Sequence, residues 1–280
     1  MKRRWGWGLA GIGLWMAGCR WVPGLAALWR GGAVWLMQGL HRLTAALPFP
    51  ALEPLALGVL CLGMGRRGPR RLARALVVIL GIYAVLWYPL YWATPAGALS
   101  APDAERLKAL CADLIDQLNG SPQRFRPLDD PGVKLARYPE WMAALGVSGL
   151  FSPWTGEAIL DPRAADACAP FTAVHEQMHL AGIADEGAAN IAAWEVCMAR
   201  GGDWADSARL WTLRCALAML SRMDETAFHR AMDRMSPALR GLFAGLGAVE
   251  TAPNIVARLL GIARQTSDYD DLVSWLIRSG

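Results

Sequence analysis

The residues of this chain best suited to chemistry are His175-Glu176-Gln177-Met178-His179. Positions four apart share a face of an α-helix, so His175 and His179 can offer two imidazoles to one zinc ion. Glu176, beside the first of them, can polarise a metal-bound water. The chain has four histidines, and two of them are in this pentapeptide. Chance produces the pattern about once in several hundred chains of this composition. The plainer alternative is a helix with two solvated or core-satisfied histidines.

A catalytic zinc site needs a third protein ligand and one open position. Gly182, three residues past His179, can take the left-handed conformation that ends a helix and reverses the chain. A second helix starting near Asp185 then brings Glu186 back to the metal as the third ligand. Asn190, one turn further on the same face, can support a ligating imidazole from behind. Glu186 has a competing use as a helix-capping acid, since acids favour the first helical turn. The chemistry expected is hydrolysis of a peptide bond in a peptide or protein substrate by zinc-activated water. Glu176 is then the general base, passing its proton on to the leaving amine. The alternative is a catalytically inactive zinc-binding membrane module that recruits a protein partner, for which the ligands look identical. A metal helix inside lipid is disfavoured, because residues 170–200 include Asp185, Glu186, Glu195 and Arg200. A metal-free structural anchor is the remaining reading.

Hydrophobic spacing places these residues in an α+β, mostly helical domain. Helices are expected at 103–118, 171–180, 186–200, 203–223, 224–235, 237–246, 252–264 and 269–277. Residues 125–137 have room for one short strand, and 147–160 alternate around Pro153 and Thr155-Gly156 as a hairpin or two short strands. In the tail helices, the tryptophans and the set Met219, Met223, Met232 and Met235 read as core. His41 and His229 stand alone and are not offered as ligands.

The front of the chain is different in kind. Hydrophobic residues make up 54% of the whole and charged residues 19%, too apolar for an ordinary soluble protein. Residues 1–92 carry 11 Lys/Arg and one acid, Glu53, whereas residues 93–280 carry 17 Lys/Arg and 23 Asp/Glu. The basic residues sit where the chain is most hydrophobic, which argues for a membrane anchor and against nucleic acid. The expected division is a membrane anchor over 1–94, with transmembrane helices at about 5–22, 50–65 and 75–92, and an extracytoplasmic domain over 95–280. Lys2, Arg3 and Arg4 and the loop of Arg66, Arg67, Arg70, Arg71 and Arg74 belong on the cytoplasmic side. The last span therefore runs outward in a multi-pass cell-membrane protein with a cytoplasmic N-terminus. Residues 24–47 then face outside as an amphipathic helix on the bilayer surface. A cleaved signal with a lipoprotein-like box at Met16-Ala17-Gly18-Cys19 is the rival for the first span. Cys111, Cys168, Cys197 and Cys215 lie in the outer domain, where an oxidising compartment permits disulfides. Three pairings are open. Oligomeric state is not legible.

Two stretches carry a family resemblance. Ser148-Gly149-Leu150-Phe151-Ser152-Pro153-Trp154-Thr155-Gly156-Glu157-Ala158 and the segment from Pro170 to Asn190 resemble the signatures of the family called domain of unknown function 3810. That resemblance implies three N-terminal spans and an extracytoplasmic, zincin-like HExxH domain. Glu186 with Asn190 is similar to the Glu-x-x-x-Asp of gluzincin metallopeptidases, which implies one zinc ion held by His175, His179 and Glu186. Ala188 departs from the family's expected second acid, but on a helix it lies about 200° from Glu186 and away from the metal. A tyrosine segment near the end is matched loosely by Tyr269, which the resemblance offers as an oxyanion-steadying residue. Zincin-like folds set an edge strand above the metal helix, along which an extended peptide adds by backbone hydrogen bonding. Thr155, Gly156 and Glu157 are the substrate-binding candidates in the one strand-like stretch near enough to serve.

Overall fold

The computed structural model describes residues 2–22, 24–65, 67–93, 102–121, 128, 130–145, 147–163, 167–246 and 270–279. The helix expected at 252–264, linker residues 96–101 and Tyr269 lie outside the described residues. The front of the chain folds as α1 (Lys2–Trp21), α2 (Leu25–Ala45), α3 (Leu52–Cys61), α4 (Gly68–Leu86) and a short α5 (Leu90–Ala93). The rest of the chain, labelled the outer domain after the expectation above, follows as α6 (Ala104–Gly120), β1 (Val133–Leu135), α7 (Glu140–Leu145), β2 (Gly149–Ser152), β3 (Glu157–Leu160), α8 (Ala169–Leu180), α9 (Glu186–Arg200), α10 (Gly202–Met223), α11 (Glu225–Arg234), α12 (Pro237–Gly245) and α13 (Asp270–Ser279). The protein is mostly helical, with one small three-stranded sheet among the described residues.

Side-chain caps fix where the outer helices begin. Asp103, Asp185, Asp224 and Ser236 accept backbone N–H groups from the first turns of α6, α9, α11 and α12, which satisfies donors that a helix start leaves free. Apolar faces then meet in two packed groups. Leu107, Ile115 and Leu118 of α6 close on Leu210, Leu213 and Leu217 of α10. Phe171 and Val174 of α8 close on Ala193 and Cys197 of α9, Ala208 of α10 and Leu272 of α13. Phe171 stacks on Trp211 at 4.5 Å. The tail aromatics and methionines serve mainly this core, although Met223 is exposed. All six cysteines are free thiols, so no pairing forms among the four in the outer domain.

The sheet order is β1-β3-β2. β3, buried along its whole length, runs parallel to β1 (Val133↔Ala158) and antiparallel to β2 (Gly149↔Leu160, Ser152↔Glu157). β2 is an edge of the sheet and lies against α8.

Among the described residues one helix, Gly68–Ala93, is long and apolar enough to cross a membrane. α1 has the length expected of the first span, but Lys2, Arg3, Arg4 and Arg20 are among its 20 residues. α3 is apolar and only 10 residues long. Residues 25–45, between the first two expected spans, form one continuous helix that packs on the outer domain.

Candidate metal centre

α8 delivers the two histidines. Pro170 occupies its first turn, and its Phe171–Val174 face is sunk in the core. His175 and His179 therefore emerge together on another face, with ring centroids 4.8 Å apart. The helix stops at Gly182, whose φ of 82° is the left-handed conformation glycine adopts without steric cost. Gly182 N–H donates to the His179 carbonyl at 2.9 Å and Ile183 N–H to the Met178 carbonyl at 3.2 Å, the paired bonds of a Schellman ending. The reversal starts α9 at Glu186 and carries its carboxylate back over α8. Glu186 Oε2 lies 3.0 Å from His175 Nε2 and 3.5 Å from His179 Nε2.

The spacing of these atoms suits a zinc site. The three candidate ligand atoms lie within 4.8 Å of one another. Ligands about 2.1 Å from a tetrahedral zinc are about 3.4 Å apart, close to the spacing of both histidines from Glu186. The tautomer also fits. His179 Nδ1 lies 2.6 Å from the Ile183 carbonyl, so Nδ1–H donates there and Nε2 is left facing Glu186, the usual support for a ligating histidine. His175 Nδ1 is buried and has no protein hydrogen-bond partner. The donor set, two imidazoles and one carboxylate, suits zinc.

The charges in the site are strongly coupled. Desolvation by the surrounding protein pulls the His179 imidazole down. The Glu186 carboxylate, with help from Glu176 and the Ile183 carbonyl, outweighs that and pushes its pKa up to about 9. Desolvation would raise Glu186, yet His179 and His175 hold its carboxyl well below the usual carboxylate range. Burial pushes Glu176 up against the opposing pull of both imidazoles.

Glu176 is buried beneath the edge strand. The Phe151 backbone N–H donates to its carboxylate. A Cβ on Gly149 would stand 2.6 Å from Glu176 Oε1, so only glycine lets β2 pass this close. The chain's other candidates are placed differently. Asn190 is buried in α9, one turn beyond Glu186. Thr155, Gly156 and Glu157 are not brought to the histidines. Thr44 Oγ1 donates to the Thr155 carbonyl and His41 Nδ1 to the Gly156 carbonyl. The buried Glu157 carboxylate accepts the N–H groups of Ala51 and Leu52 and pairs with Lys134 at 2.8 Å. These three residues fasten the front of the chain to the sheet.

Other residues at the site were not legible in the sequence. Trp87 lies edge-on to His179 at 5.8 Å and against Phe151 at 5.2 Å. Tyr83 and Tyr91 pack in the same apolar group. In the sequence Trp87, Tyr88, Tyr91 and Trp92 close the third expected span, and no periodicity links that end of the span to a helix some 90 residues later. No curated protein and no solved structure matches the chain. Residues 123–246, which contain the sheet, both histidines and Glu186, match the family model described as Protein of unknown function (DUF3810), and this supports the family name suggested by the two motifs.

Proposed function

We propose that this chain is a membrane-anchored zinc metallopeptidase that hydrolyses peptide bonds on the extracytoplasmic side. The observation that carries the reading is the convergence of His175, His179 and Glu186 on one point, with Glu176 next to it under an open strand edge. His175, His179 and Glu186 would hold one zinc ion. When bound, zinc supplies Lewis acidity that polarises a carbonyl and acidifies water.

The chain's own residues account for the rest. Ser148 accepts from Asp161 N–H across the β2–β3 pair, so by antiparallel alternation Gly149 and Phe151 turn their main-chain groups away from β3; the Phe151 N–H goes to Glu176, and the Gly149 groups and the Phe151 carbonyl face the open edge. An extended peptide adds there, directly over Glu176. Burial makes Glu176 a stronger base than a solvated carboxylate. It takes the proton of the attacking water and delivers it to the departing amine nitrogen.

The membrane arrangement is part of the proposal. α1 and α4 run side by side in the same direction, since Trp15 Nε1 donates to the Val85 carbonyl and Ile12 lies against Gly81. The N-terminal basic triplet and the arginine loop thus share one end, as a common cytoplasmic face requires.

The test is zinc analysis and peptide hydrolysis by the full chain in lipid nanodiscs. Glu176→Gln should keep about one zinc per chain and lose about 10²–10⁴-fold in turnover. Undiminished turnover in that variant refutes the base, and absence of zinc refutes the centre. Zinc without hydrolysis of any peptide favours the recruiting module.

A further inference from the structure

The candidate site is walled by the part of the chain that carries the lipid-facing surface. Trp87, which touches both His179 and Phe151, belongs to the apolar segment Gly68–Ala93. Leu76, Val77, Val78, Leu80 and Ile82 of that segment are exposed, whereas Leu86, Trp87 and Leu90 are buried in one group with Ala33 and Met37 of α2 and with Phe151 and Ala184 of the outer domain. Ile82 and Trp87 are five residues apart, about 7.5 Å along a helix axis. The hairpin turn reaches further along the same helix, with Trp154 Nε1 3.5 Å from the Ile79 carbonyl.

α2 repeats the pattern. Its inner face holds the outer domain through Ala33 and Met37 and through Arg30, which donates to the Ala181 carbonyl at the end of α8. Leu28 and Trp35, on the opposite face, are 78% and 76% exposed. α2, α3 and α4 each leave large apolar side chains exposed, Leu28 and Trp35 on the first, Leu55, Leu57 and Leu60 on the second and Leu76 to Ile82 on the third, and a bilayer is a partner able to cover all three. On the topology proposed above, with the arginine loop cytoplasmic, the His175–His179–Glu186 site sits at the level of the outer leaflet, with the open edge of β2 beside it.

We infer that the substrate is the membrane-proximal segment of a membrane-anchored polypeptide, cleaved within a few residues of its anchor. The inference rests on the peptidase reading and names its substrate class. The axial step from Ile82 to Trp87 and the 5.8 Å to the His179 ring make about 13 Å, or about four residues of extended chain. A soluble loop far from the bilayer does not reach an edge strand held at that level.

The experiment uses the zinc-loaded full chain in phospholipid vesicles and two N-palmitoylated peptides carrying the same randomised eight-residue block. In one the block follows the acyl group directly. In the other a spacer of about fifteen prolines lifts it about 46 Å. Both are equally concentrated on the membrane, so anchoring alone favours neither. The near block should be hydrolysed at least tenfold faster, with cuts within about six residues of the acyl group; equal rates overturn the inference. If neither peptide is hydrolysed, the peptidase reading fails, and placement is read from capture by Glu176→Gln. A photoreactive residue in the near block should label residues 149–152 in preference to the same residue in the far block. Equal labelling, or none, also overturns it.

Discussion

Gly149→Ala puts the distance between β2 and Glu176 to the test. The new methyl would lie 2.6 Å from Glu176 Oε1, 2.7 Å from Thr172 Cγ2 and 3.1 Å from Glu176 Cγ. Ordinary carbon contacts begin near 3.5 Å, so about 0.8 Å must be relieved. Thr172 cannot easily give, because it is β-branched, buried in α8 and donates its hydroxyl to the Cys168 carbonyl. β2 is paired to β3 and pinned through Phe151 to Trp87. The displacement therefore falls largely on the Glu176 carboxylate, and a shift of about 1 Å in a catalytic group costs about 10²-fold. Overpacking should destabilise the fold by about 1–3 kcal/mol. Glu176 is not among the proposed ligands, so zinc content should not change. The assay is kcat/KM on a quenched fluorescent peptide beside zinc content and thermal stability. Parental activity and stability together would refute the close packing of strand on base. Loss of zinc would show that β2 supports the ligands instead.

The other predictions concern the ligands and the seam between anchor and outer domain. Glu186→Gln should weaken zinc binding by at least about a hundredfold, the upper range for residues that only support a ligand; a competition titration with a chromophoric chelator reads it, and unchanged affinity removes Glu186 from the site. Because the metal-free His179 has a pKa pushed up to about 9, it carries a proton at pH 7.5 that zinc must displace. Calorimetry in two buffers of different ionisation enthalpy should find about one proton released per zinc at pH 7.5, none well above pH 9, and affinity rising with pH between; no release at pH 7.5 contradicts it. In the metal-free chain the same raised value stabilises the fold fully below an ordinary imidazole pKa of about 6.5, and that contribution is lost as pH rises through about 9. Lys134→Met leaves the Glu157 carboxylate, 1% exposed, without its cation, and should cost about 3 kcal/mol in denaturant unfolding while Lys134→Arg costs less.

Local signals were legible in the sequence, and long-range ones were not. Asp185, Gly182 and the alternation around Thr155-Gly156 act within a few residues, so the start of α9, the end of α8 and the hairpin follow from capping and turn chemistry alone. The meeting of Glu186 with the two histidines was legible for the same reason: the glycine reversal links them over 11 residues. Trp87 and Gly149 were not. Their roles come from two surfaces closing on each other, and an aromatic in an apolar run has the same local pattern whether lipid or a protein ring covers it. Glu157 shows the opposite limit. Its buried carboxylate is functional in appearance, but its partners, Ala51 and Leu52 N–H and Lys134, lie 23 to 106 residues away. α7 was missed because six residues carry too little periodicity to stand out.

In the proposed function the two signature stretches divide one task. The histidine segment would hold the metal, and the Thr155–Glu157 turn fastens the front helices to the sheet beside it. The turn's carbonyls are occupied by Thr44 and His41, so a peptide adding to the sheet is confined to the Gly149–Phe151 end, above Glu176. Cutting the chain after residue 94 would expose Phe151, Leu180 and Ala184 where α2 and Trp87 now cover them. It would also remove both backbone N–H donors from the buried Glu157. An isolated outer domain would then lose the wall of its site and part of its sheet's polar support together. Residues 95–280 alone should bind zinc more weakly than the full chain in lipid, and equal affinity in a side-by-side titration would show that the anchor only tethers.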